Sequence, residues 1–475
     1  MRLPAFLPLA AATLVSASPH AQLHPRGGAE ATINVDLSKT FQSIDGFGFS
    51  QAFQRSNQLH GEDGLSAANQ TRTLDLLFSN EVGAGLTILR NGIGSSPNNS
   101  QDWMMSIEPV SPGSPDAPAV YVWDDNDDSQ VWLTQQALNY GVQTIYADAW
   151  SAPGYMKTNN TDDYGGFLCG VTGATNCSTG DWKQAYASYL VQYLTFYAQA
   201  GLHITHLGWL NEPDLSTPYA SMMMDGTQAA EFLEVLAPTL KASGLGTKLV
   251  CCDATGWRQQ EDILSELEQA GAGDLLDVVS SHGYQSEPKL PLTTTHPVWQ
   301  TEWADLTGAW TADWDSIGQV GEGIQWANKI QEFLTLSNGS AFLHWIGAEN
   351  TTTNSAMILI VGDSVTPSKR LWAFAQFSRF VKPGAVRVEV TSSNELLHVS
   401  GFRNTDGKIA VQVINNGHVD FSVPVQVQGA QCGNVTAYLT DNGNDLTPVG
   451  VQGGTYGASF VGNVPARAMV SFVFG

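Results

Sequence analysis

His206-Leu207-Gly208-Trp209-Leu210-Asn211-Glu212-Pro213 is the stretch on which the reading of this chain turns. A short apolar run ends in two polar residues and a proline. Such a run reads as a buried strand that stops where Pro removes an N–H and fixes φ. The pattern returns at Val298-Trp299-Gln300-Thr301-Glu302-Trp303, again too short for a helix and again delivering a glutamate at its end.

Working outward, similar runs recur at 44–49, 86–90, 143–148, 206–211, 248–252, 278–282, 298–302 and 342–346. Amphipathic stretches lie between them, most clearly at 182–200, 227–242, 259–270 and 321–336. In the first of these Tyr186, Tyr189, Leu190, Tyr193 and Phe196 fall near helical spacing. Strands alternating with helices define an α/β chain, and eight such units predict a (β/α)8 TIM barrel over 45–382. The rival is an open doubly wound sheet. Against it, no Gly-rich phosphate turn follows the first strand with an acid at the end of the second.

A last helix at 369–381 stops at Lys382-Pro383-Gly384. Beyond it the texture changes to alternating runs such as Val386-Arg387-Val388-Glu389-Val390, punctuated by Asn416-Gly417 and Asn442-Gly443. This predicts an appended β-sandwich side domain over 383–475. Residues 31–35 also alternate, so 30–44 is expected to join that sandwich, which would then draw on both sides of the barrel.

The N-terminus has a positive Arg2, an apolar run to Val15 and small residues at Val15-Ser16-Ala17. That pattern predicts a signal peptide at 1–17 and a secreted, extracellular protein. Glycosylation sequons begin at Asn69, Asn98, Asn159, Asn176, Asn338, Asn350 and Asn434. Cys169 and Cys177 bracket a Gly/Thr/Asn-rich loop and are expected to form a disulfide. Adjacent Cys251 and Cys252 would point to opposite faces of a strand and read as buried small side chains rather than partners. The net charge of −24, from 45 acidic and 21 basic residues, repels nucleic acid and anionic membranes. No Cys, His or carboxylate spacing suggests a metal site, and no cofactor is expected. The expected state is a monomer.

The two glutamates carry the chemistry. In such barrels, side chains at the C-terminal ends of strands converge over the mouth, so Glu212 and Glu302 face one another. Glycoside hydrolysis needs two carboxyls in different protonation states: one protonates the departing oxygen, the other attacks the anomeric carbon or activates water. An ionised carboxylate raises its neighbour's pKa and keeps it an acid. Asn211 beside Glu212 is placed to hydrogen-bond a sugar 2-hydroxyl.

At this point the sequence resembles glycoside hydrolase family 30, and most closely its fungal subfamily 7 xylanases. The resemblance rests on Ile44-Asp45-Gly46-Phe47-Gly48, Leu89-Arg90, Trp150-Ser151-Ala152-Pro153-Gly154-Tyr155-Met156-Lys157, both glutamate motifs, His282-Gly283-Tyr284 and Arg379-Phe380-Val381-Lys382-Pro383-Gly384. It implies a retaining xylanase or glucuronoxylanase with Glu212 as general acid/base and Glu302 as nucleophile. The substrate would be a plant cell-wall polysaccharide, xylan or glucuronoxylan.

Around the pair, Trp150 and Trp345 end the third and eighth strands, where indole faces suit pyranose rings. Trp303 would point to the other face of its strand unless the strand is ending. Tyr284 is placed to hydrogen-bond Glu302. His282 reads either as a site residue or as a satisfied core histidine. Arg90 either orients a catalytic carboxylate or forms a structural salt bridge. Bacterial glucuronoxylan-specific members use an arginine in the loop after the eighth strand, but residues 347–356 hold no cation. Arg55, after the first strand, is the alternative clamp for a glucuronate carboxylate, against a plain solvated arginine at a helix start. Two other readings stay open: a β-1,6-glucanase or β-1,6-galactanase on the same fold, and a non-catalytic carbohydrate-binding protein. Endo against disaccharide-releasing action depends on whether 91–128 walls off one end of the cleft. The sandwich is expected to brace the barrel.

Overall fold

Gly46–Ser50 (β1), Ile88–Ile93 (β2), Thr144–Ala149 (β3), His206–Gly208 (β4), Lys248–Ala254 (β5), Val278–His282 (β6), Val298–Glu302 (β7) and Ala341–Glu349 (β8) pair in parallel, in chain order. In this computed structural model, which describes residues 29–98, 104–453 and 457–475, β8 pairs with both β7 and β1. Ala341 lies opposite Trp299 on one side and Gly46 on the other. The sheet is therefore a closed barrel, and the open-sheet rival is excluded. The expected export signal at 1–17 lies outside the described residues.

The strands are apolar because both faces are covered. Lys183–Gln199, Gly226–Ser243, Trp257–Gln269, Gly323–Leu336 and Lys369–Ser378 form helices outside the barrel, close to where periodicity puts them. Inside, Ile88, Tyr146, Val250, Val278, Trp299, Ala341 and Leu343 form one buried layer. Side chains two residues further along a strand share its face. Arg90 thus stands above Ile88, Asp148 above Tyr146, and Ser280 and His282 above Val278. An apolar plug carries a charged layer toward the mouth. Gly208 makes room for that layer: a Cβ there would collide with the Tyr146 hydroxyl and the Asp148 carboxylate.

The structure moves three expected boundaries. Ile44 belongs to the other sheet, and β1 begins at Gly46, whose φ of 147° is open to glycine. β4 ends at Gly208, so Trp209 to Glu212 leave the ladder. β8 continues through Gly347, Ala348 and Glu349, which had been read as loop. A hairpin of Ala356–Val361 and Ser364–Pro367 extends the sheet beside β8.

The second sheet system is antiparallel-rich. Ile33–Ile44 runs antiparallel to Ala385–Ser392 and parallel to Phe421–Gln428. Its alternating Ile33, Val35 and Leu37 are buried with Val411, Val413, Val423, Val425 and Phe472. The fold is a TIM barrel with a β-sandwich domain.

Cys169 and Cys177 are joined, with Cα atoms 5.5 Å apart. Cys251 and Cys252 are joined to each other, contrary to the expectation of two unpaired side chains. The peptide between them is cis. Cys432 is buried and free. The sequon asparagines 98, 159, 176, 338, 350 and 434 are exposed, and Asn69 is half-buried. Among the described residues, no helix is long and apolar enough to cross a membrane.

Candidate active site

The charged layer above the barrel plug centres on Arg90. This arginine is fully buried, at 0% exposure. One Nη donates to Glu302 Oε2 at 2.6 Å. The other reaches Asp148 Oδ2 at 2.7 Å, Asn211 Oδ1 at 2.6 Å and Asp253 Oδ2 at 2.9 Å. Its guanidinium also lies over the Trp150 ring, 4.5 Å from the centroid. A buried guanidinium must be paired, and here one cation organises three carboxyls and an amide from four strand ends.

Those carboxyls do not share one protonation state. Burial raises the pKa of Asp148 well above its usual range, the neighbouring Asp253 charge adds to this, and Arg90 opposes it without prevailing. Burial would do the same to Asp253, but Arg90 and the neighbouring His282, whose Nε2 lies 3.7 Å from Oδ2, outweigh it and hold this carboxyl well below the usual range. Tyr146 adds a hydroxyl to Asp253 Oδ2 at 2.8 Å. Asp148 therefore carries the proton and Asp253 the charge.

Glu212 and Glu302 stand above this layer at 7% and 6% exposure. Glu302 Oε1 accepts a hydrogen bond from the Tyr284 hydroxyl at 2.9 Å. Burial, then the charge of Glu302, raises the Tyr284 pKa well above 10, so the phenol stays a donor. Glu212 Oε1 meets His282 Nδ1 at 3.0 Å. Burial alone would lower the pKa of His282. The charges of Glu302 and Asp253 and the hydrogen bond to Glu212 reverse this and push it up to about 10. Burial raises the pKa of Glu212, and Glu302 adds to that, while His282 pulls the other way.

The local backbone explains how two strand-end acids come to face each other. Between β6 and β7 the register slips, so that Ser281 pairs with Gln300 but His282 with Glu302. A second slip lies between Cys252 and Ala254 on β5. Such irregularities re-aim side chains at barrel rims. Glu212 and Asp253 also adopt positive φ, 48° and 52°, which non-glycine residues seldom hold. The Glu212 amide donates to the Asp253 carbonyl at 2.8 Å, locking the two together.

A cleft of about 580 Å³ opens over the pair. Phe53, Arg55, Trp150, Glu212, Tyr219, Tyr284, Glu302 and Trp345 are among the residues that line it. Phe53 packs edge-on against Trp150, Tyr219 and Trp345 with centroids 5.1–6.0 Å apart. The expected residues thus fall into three sets. Glu212, Glu302, Trp150, Trp345, Tyr284 and Arg55 line the cleft. Arg90 and His282 lie beneath, bonded to Glu302 and Glu212, and Asn211 beside them accepts from Arg90. Trp303 is turned away, and its place as a substrate contact is corrected. Its ring packs against Trp326 and Phe342, with the Lys329 ammonium 3.6 Å above it. With Glu302 turned to the mouth, the next side chain must leave by the other face. Gly283 yields space for it, since a Cβ there would overlap the indole.

Sequence reasoning missed Asp148, Asp253, Phe53 and Tyr219. The first two lie near the ends of apolar strands, where a lone carboxylate does not reveal its partner. The aromatic pair sits on loops, where no period marks a direction.

Glu212, His282 and Glu302 offer ligand atoms that all lie within 4.8 Å of one another. As a metal site this set is poor, because His282 is held protonated and a protonated imidazole has no lone pair to give. As a carboxyl pair it is well suited to sugar chemistry. Retaining glycosidases hold their carboxyls about 5–5.5 Å apart, and inverting ones about 6.5–9.5 Å.

A closed barrel whose mouth holds two buried glutamates under an aromatic cleft is the arrangement of a glycoside hydrolase. Comparison with known proteins agrees. Residues 30–283 match the model of O-Glycosyl hydrolase family 30, and residues 384–472 match the Glycosyl hydrolase family 30 beta sandwich domain. The catalytic domain of GH30 xylanase C from Talaromyces cellulolyticus superposes with a TM-score of 0.87 at 44% identity, covering 94% of this chain and 100% of that one. Endo-1,6-beta-D-glucanase BGN16.3 of Trichoderma harzianum is 26% identical over 85% of each chain. Glucuronoxylanase XynC of Bacillus subtilis is 23% identical over 94% of this chain and 92% of its own. The chain belongs to glycosyl hydrolase family 30.

Proposed function

We propose that this protein is a secreted retaining xylanase that cleaves β-1,4-xylosidic bonds by double displacement and acts on xylan or glucuronoxylan. Glu302 is the nucleophile. Its two oxygens accept hydrogen bonds from the Arg90 guanidinium and the Tyr284 hydroxyl, which fix it in place. Glu212 is the general acid and then the general base; burial and the Glu302 charge raise its pKa, which suits it to carry the proton. As Glu212 gives its proton to the departing oxygen, Glu302 bonds to the sugar and its charge disappears from beside Glu212. That favours the ionised Glu212 needed to take a proton from water.

Asn211 has its carbonyl oxygen fixed by Arg90, which turns its amide N–H groups to the donor role a sugar 2-hydroxyl needs. Trp150, Trp345, Phe53 and Tyr219 offer ring faces and edges for pyranose stacking. Arg55 on the rim is the cation for a glucuronate branch. The apolar N-terminal run, the sequons and the acid-rich surface support secretion.

The single observation that carries the substrate reading is the 44% identity with the Talaromyces xylanase over nearly the whole chain. The Trichoderma relative favours a second reading, β-1,6-glucan. Incubation with glucuronoxylan, arabinoxylan and β-1,6-glucan, followed by product analysis, separates them. Xylo-oligosaccharides are expected. Intact xylan with rapid cleavage of β-1,6-glucan would reverse the assignment.

A further inference from the structure

We propose that Glu349 sets how strongly the cleft prefers an acidic branch, by neutralising most of the charge that Arg55 presents. The proposal rests on the reading of Arg55 as the uronate-facing cation and adds the residue that tunes it.

Arg55 opens the short helix Arg55–His60 and stands where two cavities meet. One is the catalytic cleft. The other, of about 590 Å³, is polar and includes Gln54, Gln58, Glu62, Asp63 and Glu349 in its lining. The Arg55 guanidinium is already engaged on one edge. Its Nε donates to Glu349 Oε2 at 3.1 Å, and Nη1 donates to the Phe53 carbonyl at 3.0 Å. The Glu349 side chain is only 6% exposed, against 20% for Arg55. It projects from the end of β8, and its other oxygen accepts the Ser355 hydroxyl. Strand, burial and that hydroxyl fix Glu349 in place against Arg55.

A ligand carboxylate must then use the free Nη edge. There it would sit about 4 Å from the cationic centre and about 7 Å from the Glu349 carboxylate. Because the interaction falls as inverse distance, the repulsion cancels a little over half of the attraction. Glu62 and Asp63 in the adjoining cavity have the same sign and deepen the cancellation. Arg55 keeps the planar geometry that fits a carboxylate, but little net charge to reward one. An undecorated chain is therefore admitted almost as readily as an acidic one.

Glucuronoxylan and the same polymer with its uronic acids reduced to neutral sugars differ at the one group in question. The ratio of kcat/KM on the two reads charge recognition alone. Glu349→Gln is expected to raise the acidic-to-neutral ratio by about tenfold, and Glu349→Asp, whose shorter arm withdraws the carboxylate, by less. Adding Arg55→Ala to Glu349→Gln should remove the gain. A ratio that stays level or falls in Glu349→Gln overturns the proposal. Should that variant not fold, a level or lower ratio in Glu349→Asp does so. If Arg55→Ala alone leaves the wild-type ratio unchanged, the uronate does not sit at Arg55, and the proposal falls with that placement. If neither polymer is cut while β-1,6-glucan is, the substrate reading itself has failed.

Discussion

Two arginines show how differently the floor and the rim of this cleft are built. Arg90 is sealed at 0% exposure under the glutamates and contacts carboxyls on three strands. Arg55 begins a short helix on a loop, is partly exposed and meets one carboxylate. On the floor, each charge is fixed by a ladder that also carries the core, so moving one moves the barrel. On the rim, charges are fixed by local contacts that single substitutions can release. The floor therefore determines the reaction and tolerates little change. The rim determines the polymer and can be retuned.

Substitutions on the floor should have the largest effects. Glu302→Ala is expected to lower kcat by about 10⁴-fold, because no other group can form the covalent intermediate. Glu212→Ala should cost about 10²–10⁴-fold on polymer. It should cost far less in forming the glycosyl-enzyme from an aryl glycoside whose leaving group needs no proton. Steady-state and burst kinetics on both substrate types check this division.

Arg90→Met tests whether the floor is one unit with the fold. It leaves Glu302, Asp148 and Asp253 without their shared cation, and a broken buried ion pair costs about 3–5 kcal/mol. A lower denaturation midpoint together with lost activity is expected. Full stability with lost activity would mean that Arg90 acts on Glu302 alone.

The two tryptophans divide the regions. Trp303→Ala should destabilise by about 3–5 kcal/mol in thermal or denaturant unfolding, with kcat of the folded enzyme little changed. Trp345→Ala should leave stability nearly intact and raise KM for oligosaccharides. Reversal of that pattern would put Trp303 back in the cleft.

The smallest expected effect is a displaced pH limb. His282 lowers the pKa of Glu212, so His282→Gln removes that pull. The alkaline limb of kcat/KM, where the general acid loses its proton, should move up. A limb that moves down would place His282 outside the proton chemistry. In stability the sign is distinct. The His282 pKa is raised on folding, from 6.5 to about 10. Its stabilising contribution is full below pH 6.5 and fades as pH rises through 10.

Much of this was legible in the sequence, for reasons that also mark where legibility ends. Eight short apolar runs alternating with helical periods can bury both sheet faces in few ways, so the barrel followed. The positions of Glu212 and Glu302 followed from strand ends and the chemistry of paired carboxyls. Asp148 and Asp253 did not, because a carboxylate in an apolar strand is informative only once its cation is known. The Cys251–Cys252 bond is not legible, because the strand period sends adjacent side chains to opposite faces. The inward turn of Glu302 depends on a register slip that composition does not record. Arg55 was found as a cation near the mouth. Its partner Glu349 was passed over because residues 347–349 had been read as loop rather than as the end of β8.

The central claim is that Glu302 becomes covalently bonded to the sugar while Glu212 supplies and recovers the proton. Reaction with a 2-deoxy-2-fluoro-xylobioside bearing a good leaving group, followed by peptide mass mapping, tests it most directly. A single fluoroxylobiosyl adduct on Glu302 is predicted. An adduct on Glu212, or turnover without an adduct and with the inverted anomer released first, would contradict it.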